Sequence, residues 1–253
     1  MKENINNILT KSLQELIRPV KQLVKHRINS RKTTQEVFSE IYQKGKWGTG
    51  ESKFYSGEGS ENNAVTRNYV AKIIQFLQQE RAENLILVDL GCGDFQIGSQ
   101  IAGYADKYIG VDIVDELIEY NRKLYGSDRV EFKCLNIIED ELPSGDICFV
   151  RQVLQHLSNE QILQILPKLR KYQTVFITEH YPSDNEDIIP NKDWVHGRGI
   201  RLLVNSGVYL DQPPFNLDDS CSIELWLEVP GHGFKMGIEP GIIRTYKITW
   251  KSR

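Results

Sequence analysis

Five residues in one arc of the chain have types and spacing suited to holding a nucleoside. Asp89-Leu90-Gly91-Cys92-Gly93-Asp94 places two glycines between carboxylates. Gly91 and Gly93 let the backbone turn tightly and approach a ligand where a side chain would collide. Asp112 follows about twenty residues on, the distance at which a carboxylate accepts hydrogen bonds from a ribose diol. The turn also discriminates between nucleosides. A dinucleotide site would read Gly-x-Gly-x-x-Gly, but Gly91-Cys92-Gly93-Asp94-Phe95-Gln96 ends in Gln. Asp94 puts negative charge where pyrophosphate would sit. No Gly-x-x-x-x-Gly-Lys-Ser/Thr stretch occurs. A carboxylate here suits a cofactor with a positive end.

These residues must stand at the carboxyl ends of two adjacent parallel strands. Leu85-Ile86-Leu87-Val88 supplies four apolar residues in a row, the pattern of a strand covered on both faces. Beyond it the chain alternates. Helices are expected at 95–103 and 115–125, and strands at 107–112, 129–135, 147–150 and 174–178. Ser158 with Gln161 forms a capping box for a helix to about Lys171. Such alternation implies βαβ units, a parallel sheet and right-handed crossovers. Residues 223–229 and 242–250 are strands joined by a glycine-rich link, 230–241, with no helix, so they pair antiparallel. Ile223, Leu225, Leu227 and Val229 are expected on one face.

Upstream, Thr33 or Thr34 starts a short helix through Val37, Phe38, Ile41 and Tyr42, and another helix runs from about Asn63 to Gln79. Between them, residues 45–60 hold five glycines and several small polar residues, a mobile loop. Residues 1–32 stand apart as a basic amphipathic helix interrupted by Pro19. Such a segment either lies on an anionic membrane or a partner, or packs on its own domain or in a homodimer. Residues 180–220 carry much loop signal, and a long irregular insertion is usually functional.

Composition narrows the classes. At 253 residues the chain fits one α/β domain with appendages, or at most two small domains. A net charge of −3 and a pI near 6.0 give no electrostatic case for nucleic acid. The four cysteines, at 92, 134, 148 and 221, lie far apart without metal-ligand or disulfide spacing, which fits a reducing cytoplasm. No apolar run reaches the length of a membrane span, and no signal-peptide core is present.

The segment Asp89-x-Gly91-x-Gly93-x-Phe95 resembles the first motif of class I S-adenosylmethionine-dependent methyltransferases, Asp/Glu-x-Gly-x-Gly-x-Gly, with the third glycine lost. Phe38-Ser39-Glu40-Ile41-Tyr42, Trp47-Gly48, Ser56-Gly57-Glu58-Gly59-Ser60, Gly91-Cys92-Gly93-Asp94-Phe95, Arg151-Gln152-Val153-Leu154-Gln155-His156-Leu157 and Gln212-Pro213-Pro214-Phe215-Asn216-Leu217 occur in an order similar to a bacterial branch of that family associated with glycan and surface-polysaccharide pathways. The resemblance covers about residues 36–250. It leaves out the N-terminal basic helical extension (1–32) and implies, for the domain at 33–253, a Rossmann-like, mostly parallel seven-stranded sheet with a reversed C-terminal hairpin and helices on both faces.

The resemblance also implies roles. Asp89, Gly91, Gly93 and Asp94 would surround the methionine part of the cofactor and Asp112 its ribose. Ile113 would pack on adenine. Asn136-Ile137 stands where the family often has an Asp near the adenine amino group. Arg151 goes with the cofactor set, and could instead bind an acidic acceptor or pair with a nearby carboxylate. His156, whose ordinary pKa is near 6.5, is the first candidate base and His180 the second. The loop at 47–60 would cover the cofactor. Residues 194–215, with Trp194, Tyr209 and Phe215, would wall the acceptor pocket in a manner suited to a sugar ring. No spacing requires a metal, and Glu179 with Asp146 is the one pair that could hold a divalent ion. The expected activity is O-methylation of a small polar or glycan acceptor. N-methylation, a non-catalytic nucleoside-binding module and an NAD-dependent oxidoreductase stand as alternatives.

Overall fold

The computed structural model describes residues 29, 31–48, 50, 53–61, 64–80, 83–184, 187–217, 221–231 and 240–250. The basic segment before residue 29 lies outside the described residues.

Seven strands form one sheet in the order β3-β2-β1-β4-β5-β7-β6. They are β1 Ile86–Leu90, β2 Lys107–Asp112, β3 Val130–Cys134, β4 Ile147–Arg151, β5 Thr174–Tyr181, β6 Cys221–Pro230 and β7 Ile242–Trp250. The first five are parallel, and β7 runs antiparallel to both β5 and β6. The expected architecture is therefore present. Alternate residues of the central strands feed two cores. Val88, Leu90, Cys148 and Val150 pack on one face, and Leu87, Phe149 and Phe176 on the other.

Five α-helices accompany the strands among the described residues: α1 Thr34–Gln43, α2 Ala64–Glu80, α3 Gly98–Ile101, α4 Asp115–Tyr125 and α5 Asn159–Ile165. Thr33 and Ser158 each close a capping box, with Glu36 and Gln161. Tyr69, Ile73, Phe76 and Leu77 of α2 cover one sheet face, and Ile162 and Ile165 of α5 the other. No helix among the described residues is long and apolar enough to cross a membrane.

Three expectations change. The helix expected at 95–103 shrinks to α3 plus a 3-10 turn at Ala102–Tyr104. The helix expected through Lys171 becomes 3-10 from Leu166, where Pro167 lacks the N–H that an α-helical bond needs. In β6 the register against β7 shifts between Leu225 and Leu227. The extra residue of this bulge, Trp226, packs on Phe76 and Phe176, while Leu225 is half exposed. The single apolar face expected for β6 is thereby split.

Candidate active site

A cavity opens at the carboxyl ends of β1, β2 and β4, where ligands bind in open α/β sheets. Ten of the residues singled out in the sequence line it: Asp89, Gly91, Gly93, Asp94, Asp112, Ile113, Asn136, Ile137, Arg151 and His156.

The glycine turn is shaped by contacts on both sides. Gly91 and Gly93 have φ of 81° and 55°. A Cβ on Gly91 would lie 2.4 Å from Val153 Cγ2, and one on Gly93 would lie 2.5 Å from Ser56 Oγ. The N–H groups of Gly91 and Cys92 donate to Val111 O at 2.8 and 2.9 Å, fixing the turn to β2. Phe95 stands where the related motif has its third glycine, and its φ is 62°. The left-handed backbone survives there without glycine. The Phe95 ring is buried among Tyr108, Tyr125 and Phe132, with centroids 5.3, 5.2 and 4.8 Å away. Gly98 makes room for it, since a Cβ there would meet the ring at 2.3 Å.

The three acidic residues differ in their bonding. Asp112 accepts from Gly93 N at 3.2 Å and Val114 N at 3.1 Å, which leaves lone pairs on both oxygens. Asp89 accepts from the Tyr108 hydroxyl at 2.8 Å. Burial pushes each of these carboxyls up to about 6. Asp94 is turned to the covering loop. Its Oδ2 accepts from Ser56 N (3.0 Å), Gln96 Nε2 (3.1 Å) and Ser60 Oγ (3.4 Å). Burial raises its pKa as well. Asp94 thus holds the loop, a role its place in the motif did not reveal.

That loop brings Trp47, Ser56 and Ser60 to the cavity, and α1 adds Thr34, Phe38 and Tyr42. The Tyr42 hydroxyl lies 2.9 Å from Ser56 Oγ. Trp47 contacts Tyr42, His156 and Phe38, with ring centroids 5.0, 5.5 and 6.1 Å away. From the insertion, Arg198 Nη1 donates to Lys46 O at 2.8 Å.

None of the described residues of 180–220 lines the cavity. Phe215 is buried in the main core, Tyr209 packs on Tyr181, and Trp194 covers Gly199. Residues 194–215, expected to wall an acceptor pocket, thus do not line this cavity, whereas Trp47 and residues of α1 do. Tyr69 and Tyr108 also line the cavity and escaped the sequence reading, because each sits in an apolar pattern indistinguishable from core.

The chain leaving β4 carries the remaining groups. The Arg151 guanidinium lies 5.1 Å from the centre of the Tyr69 ring. Its Nε is buried with no hydrogen-bond partner. A carboxylate arriving in the cavity would satisfy such a group. Gln152 is left-handed, at φ 55°, and its N–H donates to Thr178 O at 2.7 Å. His156 Nδ1 lies 3.1 Å from both Gly197 O and Gly199 O. Two carbonyls can only accept, so Nδ1 carries the proton and the neutral ring holds its lone pair on Nε2.

His180 sits elsewhere. It is buried on β5 with Nε2 2.5 Å from Pro240 O, and it does not line the cavity. Side chains alternate across the sheet, so β5 turns His180 away from the site. Asn136 lines the cavity, and its Oδ1 accepts from Ile138 N at 3.1 Å. Asp146 cannot share an ion with Glu179. Its carboxylate accepts from Ile86 N at the start of β1, whereas Glu179 lies beyond Thr178 at the far end of β5.

Residues 81–196 match a family model described as a methyltransferase domain. The whole architecture is matched by solved structures. The N-methyltransferase NodS from Bradyrhizobium japonicum WM9, in complex with S-adenosyl-L-homocysteine, superposes with a TM-score of 0.56 at 10% identity, over 84% of this chain and 99% of that one. Magnesium protoporphyrin IX methyltransferase (ChlM) from Synechocystis PCC 6803, with bound S-adenosylmethionine, gives 0.55 at 13% identity, over 87% and 98%. The DhpI complex with S-adenosylhomocysteine gives 0.51 at 14% identity, over 87% and 96%. This is a methyltransferase fold. No curated protein shows significant sequence similarity to the chain.

Proposed function

We propose that this methyltransferase uses S-adenosylmethionine to methylate a hydroxyl of a small polar or sugar-like acceptor. The observation that carries the reading is that one cavity gathers the glycine cradle, Asp112, the unpartnered Arg151 Nε and a tautomer-fixed His156. The matching methyltransferase domain and fold support the reaction class and the cofactor.

The residues fit that cofactor. Gly91 and Gly93 allow the left-handed turn that lines the cavity, packed from outside by Val153 and Ser56. Asp112 would accept from the ribose hydroxyls, with Ile113 and Ile137 beside the base. Arg151 would take the amino-acid carboxylate. When bound, S-adenosylmethionine supplies a methyl group already activated by its sulfonium, so the protein must mainly position and shield the reactants.

His156 would receive the acceptor hydroxyl's proton on Nε2, while Gly197 O and Gly199 O hold Nδ1–H and steady the resulting imidazolium. Phe38 and Trp47 would face the acceptor's C–H surfaces, which is the support here for a sugar-like ring. The loop joined to Asp94 would exclude water.

The test is a comparison of wild type with His156→Ala on sugar and nucleotide-sugar acceptors. S-adenosylhomocysteine binding should stay within about threefold while turnover falls by about a hundredfold or more. Equal turnover in the two proteins would remove His156 from the mechanism.

A further inference from the structure

Glu179 lies at the end of β5, outside the cavity, and is fully buried. It makes an unusual set of bonds. Its Oε1 accepts from Val153 N at 3.2 Å and Leu154 N at 2.8 Å, and its Oε2 accepts from Gln155 N at 3.1 Å. These N–H groups open the 3-10 turn Leu154–His156, where a helical turn has donors that its own carbonyls cannot satisfy. The cap therefore comes from another strand rather than from the residues just before the turn.

We infer that Glu179 is a positioning residue that holds the segment from Gln152 to His156 in its working geometry. The segment needs such a hold. Gln152 takes the left-handed conformation that non-glycine residues avoid, and it persists only where neighbours over-determine it. Thr178 O fixes its N–H on one side and Glu179 fixes the next three residues on the other. Val153 packs on Gly91 of the cofactor turn, and His156 ends the segment with Nδ1 between Gly197 O and Gly199 O. A second tie comes from Gln155, whose Oε1 accepts from His180 N at 3.0 Å.

A carboxylate suits this task better than its amide. It offers two acceptor oxygens to three donors, whereas a glutamine would turn an NH2 toward a backbone N–H. Burial pushes the Glu179 carboxyl up to about 8, while its three backbone donors and the nearby Arg201 favour the ionised form. Arg201, itself fully buried, donates to Leu157 O and Lys192 O and so ties the residue after His156 to the insertion.

The inference rests on the methyltransferase reading only in naming His156 as the base, so its test reads the segment directly. Full-length wild type and Glu179→Gln would be compared by amide hydrogen exchange and by long-range proton–nitrogen NMR of the His156 ring, assigned with His156→Ala. Wild type should show the Nδ1–H tautomer. In Glu179→Gln, the Leu154 and Gln155 amides should exchange at least about tenfold faster while the sheet amides do not, and the His156 ring should shift toward a mixture of tautomers. An unchanged ring and unchanged amides would overturn the inference, as would loosening spread evenly over the sheet. If Glu179→Gln does not fold, Glu179→Asp is read by the same criteria, because its shorter arm cannot reach all three donors. Failure of wild type to bind S-adenosylhomocysteine would strike the methyltransferase reading and leave this result standing.

Discussion

Ser56 and Asp94 hold each other through two hydrogen bonds running in opposite directions. Ser56 N–H donates to Asp94 Oδ2 at 3.0 Å, and Asp94 N–H donates to Ser56 Oγ at 2.8 Å. One residue belongs to the covering loop and the other to the cofactor turn. The pair therefore makes closure of the loop depend on the shape of the turn beneath it.

Breaking this clasp should open the loop. Asp94→Ala removes the acceptor for Ser56 N, Ser60 Oγ and Gln96 Nε2. A loss of about 1–3 kcal/mol is expected, seen as an S-adenosylhomocysteine affinity lower by about tenfold or more. Limited proteolysis should also cut faster within 45–61. Ser56→Ala should act in the same direction by about 1 kcal/mol, since it also removes the Tyr42 partner.

Acid should weaken cofactor binding. Burial holds the Asp112 carboxyl at about 6, above its usual 3.8. The ionised form is the one that would accept from both ribose hydroxyls. S-adenosylhomocysteine affinity should therefore be flat above about pH 7 and fall by up to about tenfold per pH unit below 6. Folding stability should run the other way. Between the unfolded value and about 6, the folded state binds more protons at Asp89 and Asp112, so the stability these groups contribute falls as pH rises through that window. Calorimetry with Asp112→Asn should show a weaker affinity that no longer follows this pH profile.

Phe95 sets two effects against each other. Phe95→Gly relieves a left-handed φ, worth about 1 kcal/mol. It also deletes a ring buried among Tyr108, Tyr125 and Phe132, at a cost of about 3–5 kcal/mol. The loss is larger, so restoring the motif's third glycine should destabilise the protein by about 2–4 kcal/mol in denaturant unfolding. A more stable variant would show that the turn, not the ring, limits stability.

Much of the fold was legible because it rests on local signals. Strand β2 and helix α4 begin and end at the expected residues, since apolar period and helix length decide both. The capping boxes at Thr33 and Ser158 are local in the same way. The glycine turn and Asp112 were legible because a close backbone approach restricts residue choice. The bulge at Trp226 was not, because it depends on where Phe76 and Phe176 leave room. The tie from Asp94 to Ser56, and that from Glu179 to residues 153–155, join segments distant in sequence and leave no periodic trace. The packing of the insertion was hidden for a related reason. Its aromatics resemble a binding wall, yet buried Asn191 and Arg201, bonded to backbone carbonyls, fold it into the core beside the site.

The most direct test is calorimetric titration of the folded protein with S-adenosylmethionine and S-adenosylhomocysteine, alongside Asp112→Ala. The account predicts micromolar binding of both to wild type and an affinity at least about tenfold weaker in the variant. Absence of binding to folded wild type, or unchanged affinity in Asp112→Ala, would contradict it.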